Sequence, residues 1–204
     1  MRKILGPVCY FLIFIVSAAL IGYGWLILQI EQAQRAQQRG DIQTAAKIYA
    51  RAETPFYFVP WLARVLKEEY KSVSLSQVSI LYEQNRAEEA FKKLEQISTT
   101  APSLTESGEY AFWTGNLLFR QALQTKDPEA SVNAAKSALS EFQKGLAAQP
   151  EDWDLKYNYE LVSTIFLQKD RNQKKEEQKV KSLLDKMRPT NEPSREELAP
   201  EKRG

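Results

Sequence analysis

The chain divides at once into an apolar beginning and a polar, helix-patterned remainder. Residues 4–30 form an uncharged, mostly apolar run, preceded by Arg2 and Lys3. About 20 apolar residues suffice to cross a bilayer as a helix, so the run predicts a transmembrane anchor within residues 1–30. A signal-peptide core is only about 7–15 residues long and ends in small residues. Val16-Ser17-Ala18-Ala19 offers such residues, but apolar sequence continues through Leu20-Ile21 and Trp25–Leu28, and this length favours an uncleaved anchor.

Lysine and arginine remain on the cytoplasmic side of a span. Arg2 and Lys3 on a short leading segment therefore predict a cytoplasmic N-terminus and an external domain, periplasmic if the source is a Gram-negative bacterium. Arg35 and Arg39 follow the span, so the charge asymmetry is small. Tyr23 and Trp25 belong at the outer interface, where aromatic rings are favoured. Cys9, behind Gly6-Pro7-Val8, lacks the upstream leucine of a lipoprotein signal and reads as a lipid-facing or packing residue.

Beyond the anchor, apolar residues recur at three- and four-residue steps, which is the helical period. Gly40 suits a left-handed helix end and Asp41 the cap of the next helix. Ala45, Tyr49 and Ala52 then share a face, with Pro55 beyond them. Ala90, Leu94, Ile97 and Pro102 form a second series, and Ala138, Phe142, Gly145 and Pro150 a third. The step from alanine to proline is the same in the last two. This small–aromatic–small pattern closed by proline resembles the second helix of a tetratricopeptide repeat (TPR), a helix–turn–helix unit of about 34 residues. Gly115 stands at the small position of a first helix. Its matching alanine falls at 138, eleven residues late, and eleven residues make about three helical turns. Asp127-Pro128-Glu129 is a helix start within that insertion. The stretch Pro60–Tyr82 is compatible with one long helix or with two. From Gln168 the chain is densely charged, and after Arg188 prolines among charged residues predict disorder.

Composition narrows the chemistry. The formal charge is +2, with basic and acidic residues mixed along the chain, so there is no basic stripe and no support for nucleic-acid binding. The lone cysteine lies in the apolar run, which excludes an internal disulfide or a cysteine zinc site. The chain contains no histidine, the commonest general base and transition-metal ligand. No phosphate loop, nucleophile elbow or calcium loop occurs. Nothing argues for an enzyme, a cofactor or a metal.

Asp152-Trp153-Asp154 lacks the further oxygens calcium needs and reads as a helix N-cap. The adjacent acidic pairs Glu68-Glu69, Glu88-Glu89 and Glu176-Glu177 cannot face each other on a helix. Phe112, Asn116 and Asn158 are better candidates for partner binding, with Arg120 one turn beyond Asn116. On first helices of adjacent repeats the two asparagines approach each other on a concave face, where amides can hold a peptide backbone. The alternative, which we prefer, is that they tie neighbouring helices together. TPR domains that clamp a terminal carboxylate also use lysines in that groove; Phe112 stands at one such position here.

Three blocks, Gly115–Ala122, Ala138–Leu146 and Gln149–Glu160, resemble the MxaK-like proteins. The Pro-x-Asp-Trp-Asp-x-Lys-Tyr-Asn-x-Glu string at 150–160 is the most specific part. Related TPR proteins linked to von Willebrand A (VWA) domain proteins share a similar string. Pro60–Tyr82 and the charged tail depart from the family. The resemblance implies a membrane-anchored, TPR-like accessory protein associated with VWA-domain membrane proteins and, indirectly, a MoxR-type AAA ATPase.

The sequence thus predicts an all-α protein. A transmembrane helix in residues 1–30 is followed by a TPR-like antiparallel helical array over 31–168 and a charged tail over 169–204. It predicts a non-catalytic scaffold in a bacterial inner membrane, bound to lipid through residues 4–30. An envelope-assembly or transport subunit that binds client proteins is the alternative.

Overall fold

The computed structural model describes residues 2–166 and Gln178, with side chains from Tyr10 onward. The side chain of Cys9 and the tail expected to be disordered lie outside the described residues. Among the described residues the chain is helical throughout, and no strand occurs. Contacts divide it into a unit ending at Val162 and a second beginning at Ser163. In the second, residues 163–166 and Gln178 are helical.

The first helix, α1, is Arg2–Gln38. It runs unbroken across position 30, so the run expected to be an anchor and the first helix of the domain are one element. Among the described residues, Tyr10–Gln38 is the helix long and apolar enough to cross a membrane. Its two halves differ in packing. Tyr10–Leu20 are exposed, whereas Leu26, Ile30, Ala33 and Ala36 are buried in the core. Those four recur at helical steps and form one packed stripe.

Gly40 turns the chain with φ +78°, a left-handed conformation that glycine adopts without a Cβ clash. Asp41 Oδ1 accepts from the Thr44 amide at 3.1 Å and caps α2, Ile42–Phe58. Ala45, Tyr49, Ala52 and Phe56 bury one face of α2. Pro55 lies inside α2. A proline lacks a donor to the preceding turn, yet α2 continues three residues past it. The Pro60–Tyr82 stretch is two helices. A single turn, α3 at Leu62–Val65, is separated from α4, Lys67–Glu83, by Leu66 with non-helical φ −100°, ψ 56°.

Asn85, at φ 63°, turns α4 into α5, Ala87–Thr100. Pro102–Glu106 is a 3-10 turn. Ser107 then caps α6, Gly108–Gln124, and Asp127 caps α7, Pro128–Ala148. Asp152 Oδ1 accepts from the Leu155 amide at 3.0 Å, starting α8, which is helical from 153 to the end of the first unit.

Successive long helices are antiparallel. Gly115 meets Phe142, and Gly145 meets Ala111; near the other end, Ser131 Oγ donates to the Ala122 carbonyl at 2.7 Å. Alternate helices run the same way. Tyr23 Oη donates to Glu69 at 2.8 Å and Gln37 Nε2 to Ser79 at 3.5 Å, so α1 parallels α4. Lys71 Nζ meets Glu109 at 3.3 Å and Tyr82 packs on Trp113, so α4 parallels α6. α6 divides two apolar clusters. Leu117, Tyr110 and Trp113 face the larger one, built on α1–α5. Phe112, Leu118 and Phe119 face the smaller one, around Ala138, Phe142, Leu155 and Val162.

Candidate interaction site

The asparagines singled out by sequence come together. Asn158 Nδ2 donates to Asn116 Oδ1 at 3.2 Å, tying α8 to α6 at a half-buried position. Each amide keeps further donor and acceptor capacity. Phe112 lies one turn before Asn116, half-buried, with its ring edge-on to Trp113 at 5.0 Å. Arg120 points elsewhere. Its Nη1 donates to the Tyr82 carbonyl at 2.6 Å and to Asn85 Oδ1 at 3.2 Å. Its guanidinium also stacks 3.4 Å from the Tyr82 ring centroid. Arg120 therefore holds α6 to the end of α4 through charge-assisted donation from Nη1.

Beside the asparagines α8 displays an exposed stripe that the sequence pattern does not mark as a binding face. Trp153 is 78% exposed, Tyr157 65% and Leu161 37%. The four-residue steps place them on one face, while Leu155 and Val162 are buried on the other. Lys156 Nζ lies 5.3 Å from the Trp153 ring centroid. Trp153 and Tyr157 stand in the string at 150–160 and Leu161 just past it, and their four-residue spacing is the signal a sequence carries for such a stripe.

Two hollows lie in the helical array beyond α1. An open groove of about 680 Å³ lies between the 3-10 turn and α7, lined by Tyr110, Thr114, Glu141 and Lys144 among others. Burial raises the Tyr110 hydroxyl above the ordinary tyrosine pKa, and that hydroxyl donates to the Leu94 carbonyl at 3.3 Å. A smaller cavity of about 280 Å³ is lined by Glu53, Tyr70 and Gln96. There Glu53 accepts from Gln77 at 3.0 Å and pairs with the buried Lys93. Burial pushes the Lys93 ammonium below the ordinary lysine range, and Glu53 offsets part of that. With its carboxylate so engaged, the cavity has the makeup of a helix-tying network. Among the described residues no group of three His, Cys, Asp or Glu side chains is gathered as a metal site would require.

Compared with known proteins, the chain matches no family model, no curated sequence and no solved structure.

Proposed function

We propose that this protein is a non-catalytic adaptor, held to a membrane by residues 4–30, that presents a TPR-like helical array to a protein partner. The observation that carries this reading is the exposed stripe Trp153, Tyr157 and Leu161 on α8. Rigid aromatic residues supply large contact area at low entropic cost, and such residues dominate the energetics of interfaces. The alternation of helix directions from α1 to α8, with small residues at the close crossings, supports the TPR-like reading. The apolar length of α1 supports the anchor, and Arg2 and Lys3 support a cytoplasmic N-terminus with the array outside. The string at 150–160 supports VWA-domain membrane proteins as partners, with a MoxR-type ATPase acting through them.

A photo-crosslinking residue at position 157, expressed in native membranes, tests this. The expected product is an adduct to a VWA-domain membrane protein. Adducts to other proteins alone would favour the client-binding alternative, and the absence of any protein adduct would remove the partner face. Asn158→Ala separates two roles of that side chain. If Asn158 is part of the partner face, adduct yield falls while thermal unfolding is nearly unchanged. If Asn158 only ties α8 to α6, the melting point falls, by about 1–3 kcal/mol in stability, with adduct formation retained.

A further inference from the structure

The membrane-near end of the domain carries a second apolar surface. From the Gly40 turn α2 runs back along α1. At a common rise of about 1.5 Å per residue, Phe58 ends roughly abreast of Gly22. The chain between α2 and α4 therefore sits beside the apolar half of α1. Trp61, Leu62 and Val65 face Leu20, Tyr23 and Leu26 across an apolar groove of about 620 Å³. Around it, Tyr57 and Phe58 are each 75% exposed, Trp61 61% and Val65 66%. Large apolar side chains gathered so closely mark a contact surface.

The depth of this tip follows from two observations. The apolar run of 27 residues is about 40 Å long as a helix, against a hydrocarbon core of about 30 Å. Its final third therefore reaches the interfacial layer. Glu69 accepts a hydrogen bond from Tyr23 Oη at 2.8 Å, and a carboxylate is costly in hydrocarbon. The polar boundary thus lies near the level of Tyr23, abreast of the tip. Tryptophan and tyrosine favour that layer. The exposed Arg64 and the half-buried Lys67 stand beside it, where lipid phosphates attract cations.

We propose that residues 57–66 form a second membrane contact, seated at the headgroup–acyl boundary, with lipid acyl chains filling the groove against α1. The proposal rests on the reading of residues 4–30 as the span. It makes the domain lie on the bilayer instead of standing clear of it on a stalk.

Single-cysteine variants test it in the full chain. With Cys9→Ser as background, Phe58→Cys, Trp61→Cys and Val65→Cys are labelled with nitrobenzoxadiazole. Trp153→Cys, on the exposed stripe, is the control. The proteins are reconstituted into phosphatidylethanolamine–phosphatidylglycerol vesicles containing nitroxide lipids with shallow quenchers. The expected result is blue-shifted emission at 58, 61 and 65, quenched several-fold more strongly than at 153. Alkaline extraction of the same vesicles reports the span independently. Protein retained by the vesicles but with water-like emission at all three sites overturns the second contact and leaves the anchor standing. Blue-shifted emission that the lipid quenchers do not reach means that protein covers the tip, and this too overturns the proposal. Release on extraction removes the span and the tip contact together.

Discussion

Gly115 shows how closely this fold is fitted at single residues. A Cβ there would stand 2.6 Å from Phe142 Cε1 and 2.8 Å from its Cζ. Both are far inside ordinary contact, and the Phe142 ring is fully buried. We expect Gly115→Ala to destabilise the protein by about 1–3 kcal/mol, through forced displacement of the ring. Thermal unfolding measures this, and an unchanged melting point would mean that α6 and α7 do not approach as described. Small residues at helical spacing were legible because they leave a mark in the sequence wherever helices cross closely. Ala138, Phe142 and Gly145 are all buried on one face of α7. The destination of a long polar side chain leaves no such mark. Arg120 has the right spacing to share a groove with Asn116, yet its guanidinium reaches to Tyr82 and Asn85 on the neighbouring helix end.

Between elements, the tie from Glu53 on α2 to Lys93 on α5 is the most deeply placed ion pair among the described residues, with Lys93 9% exposed. Desolvation offsets much of the attraction in such pairs, but removing one partner strands the other. Lys93→Met is expected to cost about 3 kcal/mol, and Glu53→Leu combined with Lys93→Met to recover most of that loss. Chemical denaturation of the two single variants and the double gives the coupling directly; additive losses would show that the pair does not act as a unit. Helix boundaries were less legible than helices. Pro55 marks a stop by local rules, but burial of Phe56 beyond it holds α2 together for another three residues. The break at Leu66 has no proline or glycine to announce it; Leu62 before it and Leu66 itself both pack against the core.

At the scale of the whole molecule, the apolar run is long enough to span a membrane and also packs the domain core, and composition cannot separate the two. An apolar helix that faces lipid on all sides and one that packs a domain on one side read alike by hydropathy. Leu26 and Ile30 turned out to be core residues, while Leu28 is 55% exposed. In detergent micelles Leu26→Ala should therefore lower stability by about 2–4 kcal/mol, and Leu28→Ala by well under about 1 kcal/mol. Equal effects on melting would show that α1 does not pack on α2 and α4. The exposed aromatics at 57–61 were hidden for the same reason: a helical sequence says that an apolar residue seeks cover, without saying whether protein or lipid supplies it.

With residues 4–30 as the proposed span, the unbroken α1 would act as a drive shaft from membrane to domain. The compass bearing of Tyr157 about the membrane normal is keyed to the angular phase of the span. One alanine inserted between Phe11 and Leu12 would rotate everything beyond it by roughly 100° relative to the buried end, whereas four would leave it only about 40° out of phase. A partner that grips both the span and the α8 stripe would read that angle. Crosslinking through position 157 should then collapse with one inserted residue and largely return with four. Indifference to both insertions would mean that the partner engages the domain alone.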